Sequence, residues 1–376
     1  MVCFHPIKAY YPISQRIDYH TGELKRDIKF TMPKFDYALD CAGGTLYFDY
    51  YEKLQKFELG SLEGQFRQKC LVPKNVPTYV DVNIPCGKCI GCHADRARNY
   101  ATRAIHEYSY DRDQPSCFVT LTFNEDMLHK RDVSYYKSVS RAELSGFIKR
   151  LRERVYDKYK VTFRVFGSGE YGALKSRPHY HLLIYGFDFP DKYAWSYRTH
   201  SSSRDPIVYY RSEFLEKLWS PPNSDLSYGF STIGQVTPSS CQYVSGYMAD
   251  KLDEFSDKDY KQLGIDKPFL YTPSRPGLGH NYFLKYYEEI FNNGYCSLHN
   301  SIKAPIPAYY CDLLKRYYPD RFEVYKLDKL KFMIDNLFVE NLELSEQRLR
   351  VREEALKMKY DKSVRSYEKM CFLHNI

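Results

Sequence analysis

Nowhere in this 376-residue chain do about eighteen apolar residues follow one another, which leaves no helix able to span a bilayer. The opening residues, MVCFHPIKAYYPISQ, lack a basic segment followed by an apolar one, so no secretory signal is expected. Internal repeats and low-complexity runs are missing too, which argues against solenoid and disordered classes. Tryptophan is scarce, with 2 residues against 38 tyrosines, so the aromatic content of 17% is mostly tyrosine. Tyrosine packs, stacks on bases or acts as a nucleophile, and its abundance weakens any argument from one residue. Eleven cysteines, an odd number without an export signal, point to a reducing compartment and to thiols or metal ligands rather than disulfides.

What is present supports an ordinary core: 43% of residues are hydrophobic, and the length suits two or three domains. Net charge is a modest +8, but it is uneven. Between Arg141 and Arg164 eight Lys/Arg face only Glu143, Glu153 and Asp157, a clustering that favours a polyanionic partner over a merely solvated helix.

Residues up to about 85 read as short strands and loops. HADRARNYATRAIHEYSYDR (93–112) has no Pro or Gly and reads as a helix with Arg96, Arg103 and Glu107 on exposed faces. CFVTLTF (117–123) reads as a strand. SRAELSGFIKRLRERVY opens on a Ser140–Glu143 capping box and continues with apolar residues at helical spacing. VTFRVFGSGEYG (161–172) and RPHYHLLIYGF follow as the arms of a hairpin. This order predicts an α+β fold, a central antiparallel β-sheet flanked by helices. A Ser-rich stretch at 199–206 reads as a loop or insertion, and TPSSCQYVSGYMADKL as a helix begun near Ser239 or Ser240. PSRPGLG (273–279) is a turn, and 341–370 a charged helix. Three regions result: 1–112 with the cysteine cluster and a basic helix, 113–255 as the central domain, and 256–376 as a mostly helical accessory region.

His179 and His181 lie two apart in an apolar strand, so both point to one face. Two imidazoles on one face suit a divalent metal. If 161–171 pairs with 179–187, Glu170 falls beside them, and two His with one carboxylate leave coordination positions open, as a catalytic site requires. Ordinary hydrogen-bonded histidines are the competing reading. Tyr243 and Tyr247, four apart, share a helix face. Four such tyrosine pairs occur (47/51, 193/197, 243/247 and 282/286), so spacing alone selects none. The helical context and Lys251, a turn further on and able to stabilise a phenolate, favour 243/247.

Together and in this order, FVTLTF, GEYG, RPHYHLLIYGF and YVSGYMADK closely resemble the HUH endonucleases, named for a His–hydrophobic–His motif. More narrowly, with PCGKCIGC and RPGLG added, residues 85 to 320 resemble the replication initiation proteins (Rep endonucleases) of small single-stranded DNA phages, the gokushovirus branch of the Microviridae. The resemblance implies an HUH endonuclease fold over 113–255, with the N-terminal cysteine cluster and C-terminal helices as additions. It implies that His179, His181 and Glu170 hold Mg²⁺ or Mn²⁺, and that Tyr243 and Tyr247 are nucleophiles. The implied activity is origin-specific nicking and rejoining of single-stranded or supercoiled phage DNA through a 5′-phosphotyrosyl link. The free 3′-OH would prime rolling-circle replication by host helicase and polymerase, in the host bacterial cytoplasm and without a membrane partner.

CGKCIGCH sets Cys86, Cys89 and Cys92 at a C-x2-C-x2-C spacing that asks for a fourth ligand. Cys70 is the first choice and His93 the second; structural zinc is the expected occupant, an iron–sulfur cluster the alternative. Arg96, Arg98, Arg103, Lys149, Arg150, Arg152, Arg154 and Arg177 are the phosphate-contact candidates. Surplus tyrosines could stack unpaired bases. Two other readings compete: a plasmid or transposon HUH nickase, and a non-catalytic, zinc-stabilised nucleic-acid-binding protein.

Overall fold

The computed structural model describes the backbone of residues 3–12, 16–17, 24–25, 28–31, 37–41, 44–48, 54–57, 70–73, 79–131, 137–172, 177–198, 207–221, 224, 226–250, 257–335 and 345–372. Side chains are described for residues 3–10, 28–31, 82–131, 137–172, 177–197, 207–221, 224, 226–246, 260–329, 332 and 345–359. The expected insertion at 199–206 therefore lies outside the described residues. The chain divides into two compact units, residues 1–92 with 320–358 and residues 93–319 with 359–376.

The first unit carries β1 (Ile7–Pro12), β2 (Arg16–Ile17), β3 (Leu24–Lys25), β4 (Tyr37–Cys41), β5 (Gly44–Phe48), β6 (Leu54–Phe57), β7 (Cys70–Pro73) and β8 (Tyr79–Ile84). Four of them form an antiparallel sheet in the order β1-β8-β5-β4, and β2–β3 and β6–β7 are separate ribbons. These are the short strands expected of the N-terminal region.

Then come α1 (Ile90–Tyr110), β9 (Ser116–Thr122), α2 (Glu125–Leu128), α3 (Arg141–Tyr159), β10 (Arg164–Tyr171), β11 (Pro178–Tyr185), β12 (Tyr193–Arg198) and β13 (Ile207–Arg211). They are followed by α4 (Glu213–Leu218), β14 (Ser231–Gly234), α5 (Pro238–Asp250), α6 (Asp257–Leu263), β15 (Phe269–Tyr271), α7 (His280–Asn293), the pair β16 (Cys296–Ser297) and β17 (Lys303–Ala304), α8 (Ala308–Tyr317), α9 (Pro319–Asp335) and a last helix, Glu346–Phe372. Seven strands make one antiparallel sheet, ordered β12-β13-β14-β9-β11-β10-β15. The fold is thus α+β, as the order of elements predicts.

Alternation of side chains divides this sheet into two chemically different faces. On one face Val119, Leu121, Val165, Tyr180, Leu182 and Ile184 join Leu144, Phe147, Ile148, Leu151 and Val155 of α3 in a single core. Five buried α3 side chains at about 2 kcal/mol each contribute on the order of 10 kcal/mol before the entropy of ordering is set against them. On the other face Phe166, Leu183 and Tyr185 pack with Ala104 and Ile105 of α1 and with Cys241 and Val244 of α5. Those helices cover one end of this face; its other end carries Glu170, His179 and His181.

Helix ends correct two expectations. Ser140 caps α3 as predicted, accepting the Glu143 N–H at 3.2 Å. Glu143 does not reach back, however; its carboxylate takes a two-pronged bond from buried Arg131 at 3.0 and 2.6 Å and the Tyr180 hydroxyl at 2.8 Å. The Ser140 N–H goes instead to the Tyr180 oxygen, at 2.8 Å. Helix α5 starts earlier than expected, at Pro238, because Thr237 and Ser240 cap each other: Thr237 N–H donates to Ser240 Oγ at 2.8 Å, and Ser240 N–H to Thr237 Oγ1 at 3.1 Å. Proline suits that first position, since its missing N–H has no partner to lose there.

Arg103 and Glu107 of α1 are not on exposed faces either. Arg103 donates to the Leu278 carbonyl at 2.9 Å and lies 4.2 Å over the Tyr309 ring. Glu107 accepts Arg164 at 2.5 Å and the Gly279 N–H at 2.6 Å, while Arg164 also donates to the Pro276 and Gly277 carbonyls. The three charges fasten the RPGLG turn to α1 and β10. Buried charges persist when paired and hydrogen-bonded in this way.

Candidate active site

Register builds the site. In the β10–β11 ladder Glu170 stands opposite His179 and Ser168 opposite His181; in the β11–β9 ladder His179 stands opposite Thr122 and His181 opposite Thr120. Glu170, His179 and His181 therefore share a face across two neighbouring strands. The imidazoles lie parallel, 8° apart in plane, with centroids separated by 6.5 Å. Phe118, next but one to Thr120 on β9, stacks on His181 at 5.7 Å.

Each imidazole is held by its Nδ1. His179 Nδ1–H donates to the Arg177 carbonyl at 2.7 Å, and His181 Nδ1 pairs with Thr120 Oγ1 at 3.0 Å. Holding Nδ1 on a protein oxygen turns Nε2 outward, the arrangement that metal-binding histidines use. His181 Nε2 lies 2.8 Å from Glu170 Oε1. The other carboxylate oxygen, Glu170 Oε2, is buried with no hydrogen-bond partner. An unsatisfied buried carboxylate oxygen is costly, and a divalent cation is the partner that two imidazoles and a carboxylate suit. The donor set fits Mg²⁺ or Mn²⁺.

Tyr243 reaches this site from the second turn of α5. Its hydroxyl lies 3.2 Å from both Glu170 Oε1 and His181 Nε2, and its ring stands edge-on to the imidazole at 5.0 Å and 89°. Val244 and Cys241, buried against the sheet, fix the rotation of the helix that aims it. Tyr247 lies one turn further along α5; its side chain, and Lys251 altogether, lie outside the described residues.

A second cluster forms in the first unit. Cys3, Cys86, Cys89 and Cys92 bring their sulfurs within 4.8 Å of one another, the one such group of metal-ligating atoms among the described residues. The fourth thiol is thus Cys3 rather than the expected Cys70, whose side chain lies outside the described residues. Sulfur separations are 3.6 Å (Cys89–Cys92) and 3.9 Å (Cys86–Cys92 and Cys89–Cys3). Tetrahedral zinc, with bonds of ~2.3 Å, sets its thiolates about 3.8 Å apart. Backbone N–H groups support the sulfurs: Cys86 donates to Cys3 at 3.2 Å, Cys89 to Cys86 at 3.4 Å and Phe4 to Cys89 at 3.4 Å. Burial raises the Cys3 and Cys92 thiols. Burial acts on Cys86 too, but backbone donors at Lys88 and Cys89 outweigh it and bring that thiol down to about 7. These four residues can bind a metal ion.

The basic residues are dispersed. Lys149, Arg150, Arg152 and Arg154 ride on α3, packed on the face opposite the histidines, and Arg150 donates to the Ser220 carbonyl at 3.1 Å. Arg98 pairs with Asp95 at 2.6 Å, Arg96 is exposed, and Arg103 is committed to the RPGLG turn. Arg177 adjoins the site in sequence, with its guanidinium on Glu125 at 2.6 Å. The structure gathers the metal triad and Tyr243, and leaves the predicted phosphate contacts spread over the unit.

A seven-stranded antiparallel sheet flanked by helices, with a His–hydrophobic–His pair on an interior strand beside a carboxylate, is consistent with the HUH endonuclease fold. The family model that describes replication-associated proteins of the ORF2 type matches residues 116–252, from the start of β9 to just past α5. Replication-associated protein VP4 of Bdellovibrio phage phiMH2K is 32% identical over 247 residues, covering 64% of this chain and 70% of that protein. Replication-associated protein ORF2 of Spiroplasma virus 4 is 27% identical, covering 65% and 71%, and ORF4 of Chlamydia phage 1 is 26% identical, covering 62% and 54%. No solved structure matches the chain. The chain belongs to this family of phage replication-associated proteins, whose gokushovirus members include those of phiMH2K and Chlamydia phage 1. Among the described residues no helix is long and apolar enough to cross a membrane.

Proposed function

We propose that this chain is an origin-specific single-strand DNA endonuclease and strand transferase that initiates phage rolling-circle replication in the host cytoplasm. One observation carries the reading: the Tyr243 hydroxyl meets Glu170 and His181 at 3.2 Å, on the sheet face that also bears His179. Family membership supports a role in replicating phage DNA.

In this reading Tyr243 is the nucleophile. Glu170 Oε1 accepts the phenolic hydrogen bond and is positioned to take the proton as the oxygen attacks phosphorus in line. The bond from phosphorus to the 3′ oxygen breaks, that oxygen gains a proton, and a 5′-phosphotyrosyl link is left. Attack by a 3′-OH on that link reverses the sequence and rejoins the strand without ATP. Mg²⁺ or Mn²⁺, held by Glu170, His179 and His181, would offset the charge that grows on the scissile phosphate. Tyr247, on the same helix, would cleave the regenerated origin, with Lys251 beside it. The free 3′-OH would serve a host polymerase behind a host helicase. The nickase domain spans 113–255 in this reading, and the accessory regions flank it. The four thiols hold structural zinc: their spacing suits one ion, whereas a four-iron cluster, with each thiolate on its own iron, needs the sulfurs much further apart.

The test uses single-stranded oligonucleotides tiling the phage's own genome, incubated with the full chain and Mn²⁺ and resolved on a denaturing gel. A protease-sensitive protein–DNA adduct is expected from one tile, and it should vanish in the Tyr243→Phe, Tyr247→Phe double variant and in His179→Ala. Cleavage that survives the double variant would mean attack by water. Binding without any adduct would leave a non-catalytic DNA-binding protein.

A further inference from the structure

The face that carries the histidines continues sideways, away from α5, to the edge of the sheet. Thr122, opposite His179, donates its N–H to the Phe230 carbonyl at 2.9 Å, which puts Phe230 next in line. On β13, Tyr210 pairs with buried Ile233 and belongs to the α3 face, so Arg211 belongs to the histidine face. On β12, Tyr193 stands opposite Arg211, and Trp195 occupies the irregularity between Ala194 and Ser196. The Arg211 guanidinium lies 3.6 Å over the Trp195 ring and 5.6 Å from the Phe230 ring, while its Nε faces Glu216 at 3.8 Å.

Three aromatic side chains in this row are open to solvent: Phe230 is 54% exposed, Trp195 53% and Tyr193 45%. Single exposed apolar residues are ordinary on a protein surface, but a contiguous aromatic row beside a reactive centre is not. It has a cation set among its rings, and it runs unbroken from the proposed nicking site. Four strand-to-strand steps of about 4.8 Å give the row a length of roughly 19 Å. At about 3.4 Å per stacked nucleotide that accommodates some five bases. Aromatic planes accept any base, and arginine supplies the charge that phosphates require.

We propose that Phe230, Arg211, Trp195 and Tyr193 form a stacking track for single-stranded DNA that leads to the scissile phosphate at His179 and His181. The track rests on the nickase reading for its direction but not for its existence. Tyr197 supplies the internal control. It is 67% exposed on the same strand, yet it pairs with Val208, which shares the α3 side with Tyr210, so it lies off the track.

Tryptophan emission reports directly on the track. The chain has 2 tryptophans, and the other, Trp219, is fully buried and donates to the Thr122 carbonyl. Titrating the full chain with unlabelled oligothymidylate should quench the Trp195 contribution, and Trp195→Phe should remove the quench while binding persists. Trp195→Ala with Phe230→Ala should weaken binding, read by anisotropy of a labelled oligonucleotide, about tenfold or more, with Tyr197→Ala unchanged. Unaltered Trp219 emission certifies the fold of each variant. Absence of quenching, equal quenching by duplex DNA, or equal losses from Tyr197→Ala would overturn the track. Adduct formation at saturating DNA, measured alongside, separates the two readings. An intact adduct with no quench overturns the track and leaves the nickase; quenching with no adduct from any genomic tile does the reverse.

Discussion

Replacing Gly172 with alanine tests the site without removing any group that does chemistry. Gly172 follows β10, and its N–H donates at 2.8 Å to the Arg177 carbonyl, the same oxygen that accepts His179 Nδ1–H at 2.7 Å. A Cβ at this position would lie 2.7 Å from His179 Cε1 and 3.3 Å from Nδ1, whereas ordinary contact begins at 3.4 Å. The imidazole has to retreat by about 0.7 Å, at the expense of its bond to Arg177. Gly172 is absent from the glycines with positive φ, so the backbone itself accepts alanine and the effect falls on the ring. Misplacing a catalytic group by ~1 Å can cost on the order of 10²-fold, and a somewhat smaller shift should slow adduct formation by about 10- to 100-fold. The assay is single-turnover adduct formation at saturating oligonucleotide with Mn²⁺. Affinity for the oligonucleotide should stay within about twofold, and His179→Ala should lose more rate than Gly172→Ala. A Gly172→Ala rate within about threefold of wild type would refute the claim that His179 must keep this placement.

Two further outcomes follow from groups away from the nucleophile. Cys3→Ser should reduce bound zinc from one equivalent per chain to a fraction that a chelator strips, while Cys70→Ser should leave one equivalent in place; metal analysis after gel filtration decides between them. His106 is buried between Tyr310, bonded to Nδ1 at 2.9 Å, and the Ser297 carbonyl at 3.3 Å from Nε2, and burial holds it down to about 4. The unfolded chain takes up this proton near pH 6.5 but the folded chain only near 4, so stability from His106 is complete above 6.5 and is lost as pH falls toward 4. The loss amounts to about 3 kcal/mol, and urea unfolding of His106→Gln should show an acid slope shallower by that amount.

The histidine face was legible because a strand alternates strictly, and a hairpin joining 161–171 to 179–187 leaves Glu170 few places to go. Cys3 was not legible. It meets Cys86 from 83 positions away, and only the folded chain brings such thiols together. Arg103 and Glu107 were misplaced for a related reason. A helical pattern of charged residues reads as solvated unless the distant turn that buries them, here Pro276 to Gly279, is already known. The aromatic track was hidden twice: by a composition in which tyrosine is everywhere, and by the irregularity at Trp195, which shifts the side-chain alternation along β12. The Ser140–Glu143 signal named the right helix start for half the right reason, since Arg131 and Tyr180 claim the carboxylate.

Division of the sheet into a chemical face and a packing face has a consequence for how such a protein drifts over generations. Substitutions at Leu182 or Ile184 are filtered by volume, and those at His179 or His181 by reactivity, so the two sets of positions can change independently. A one-residue deletion inside β11 enjoys no such freedom. It would turn the imidazoles into the α3 core and the aliphatic side chains out toward DNA, ending folding and cleavage together. The spacing of the strand is therefore inherited more rigidly than most of the residues that occupy it.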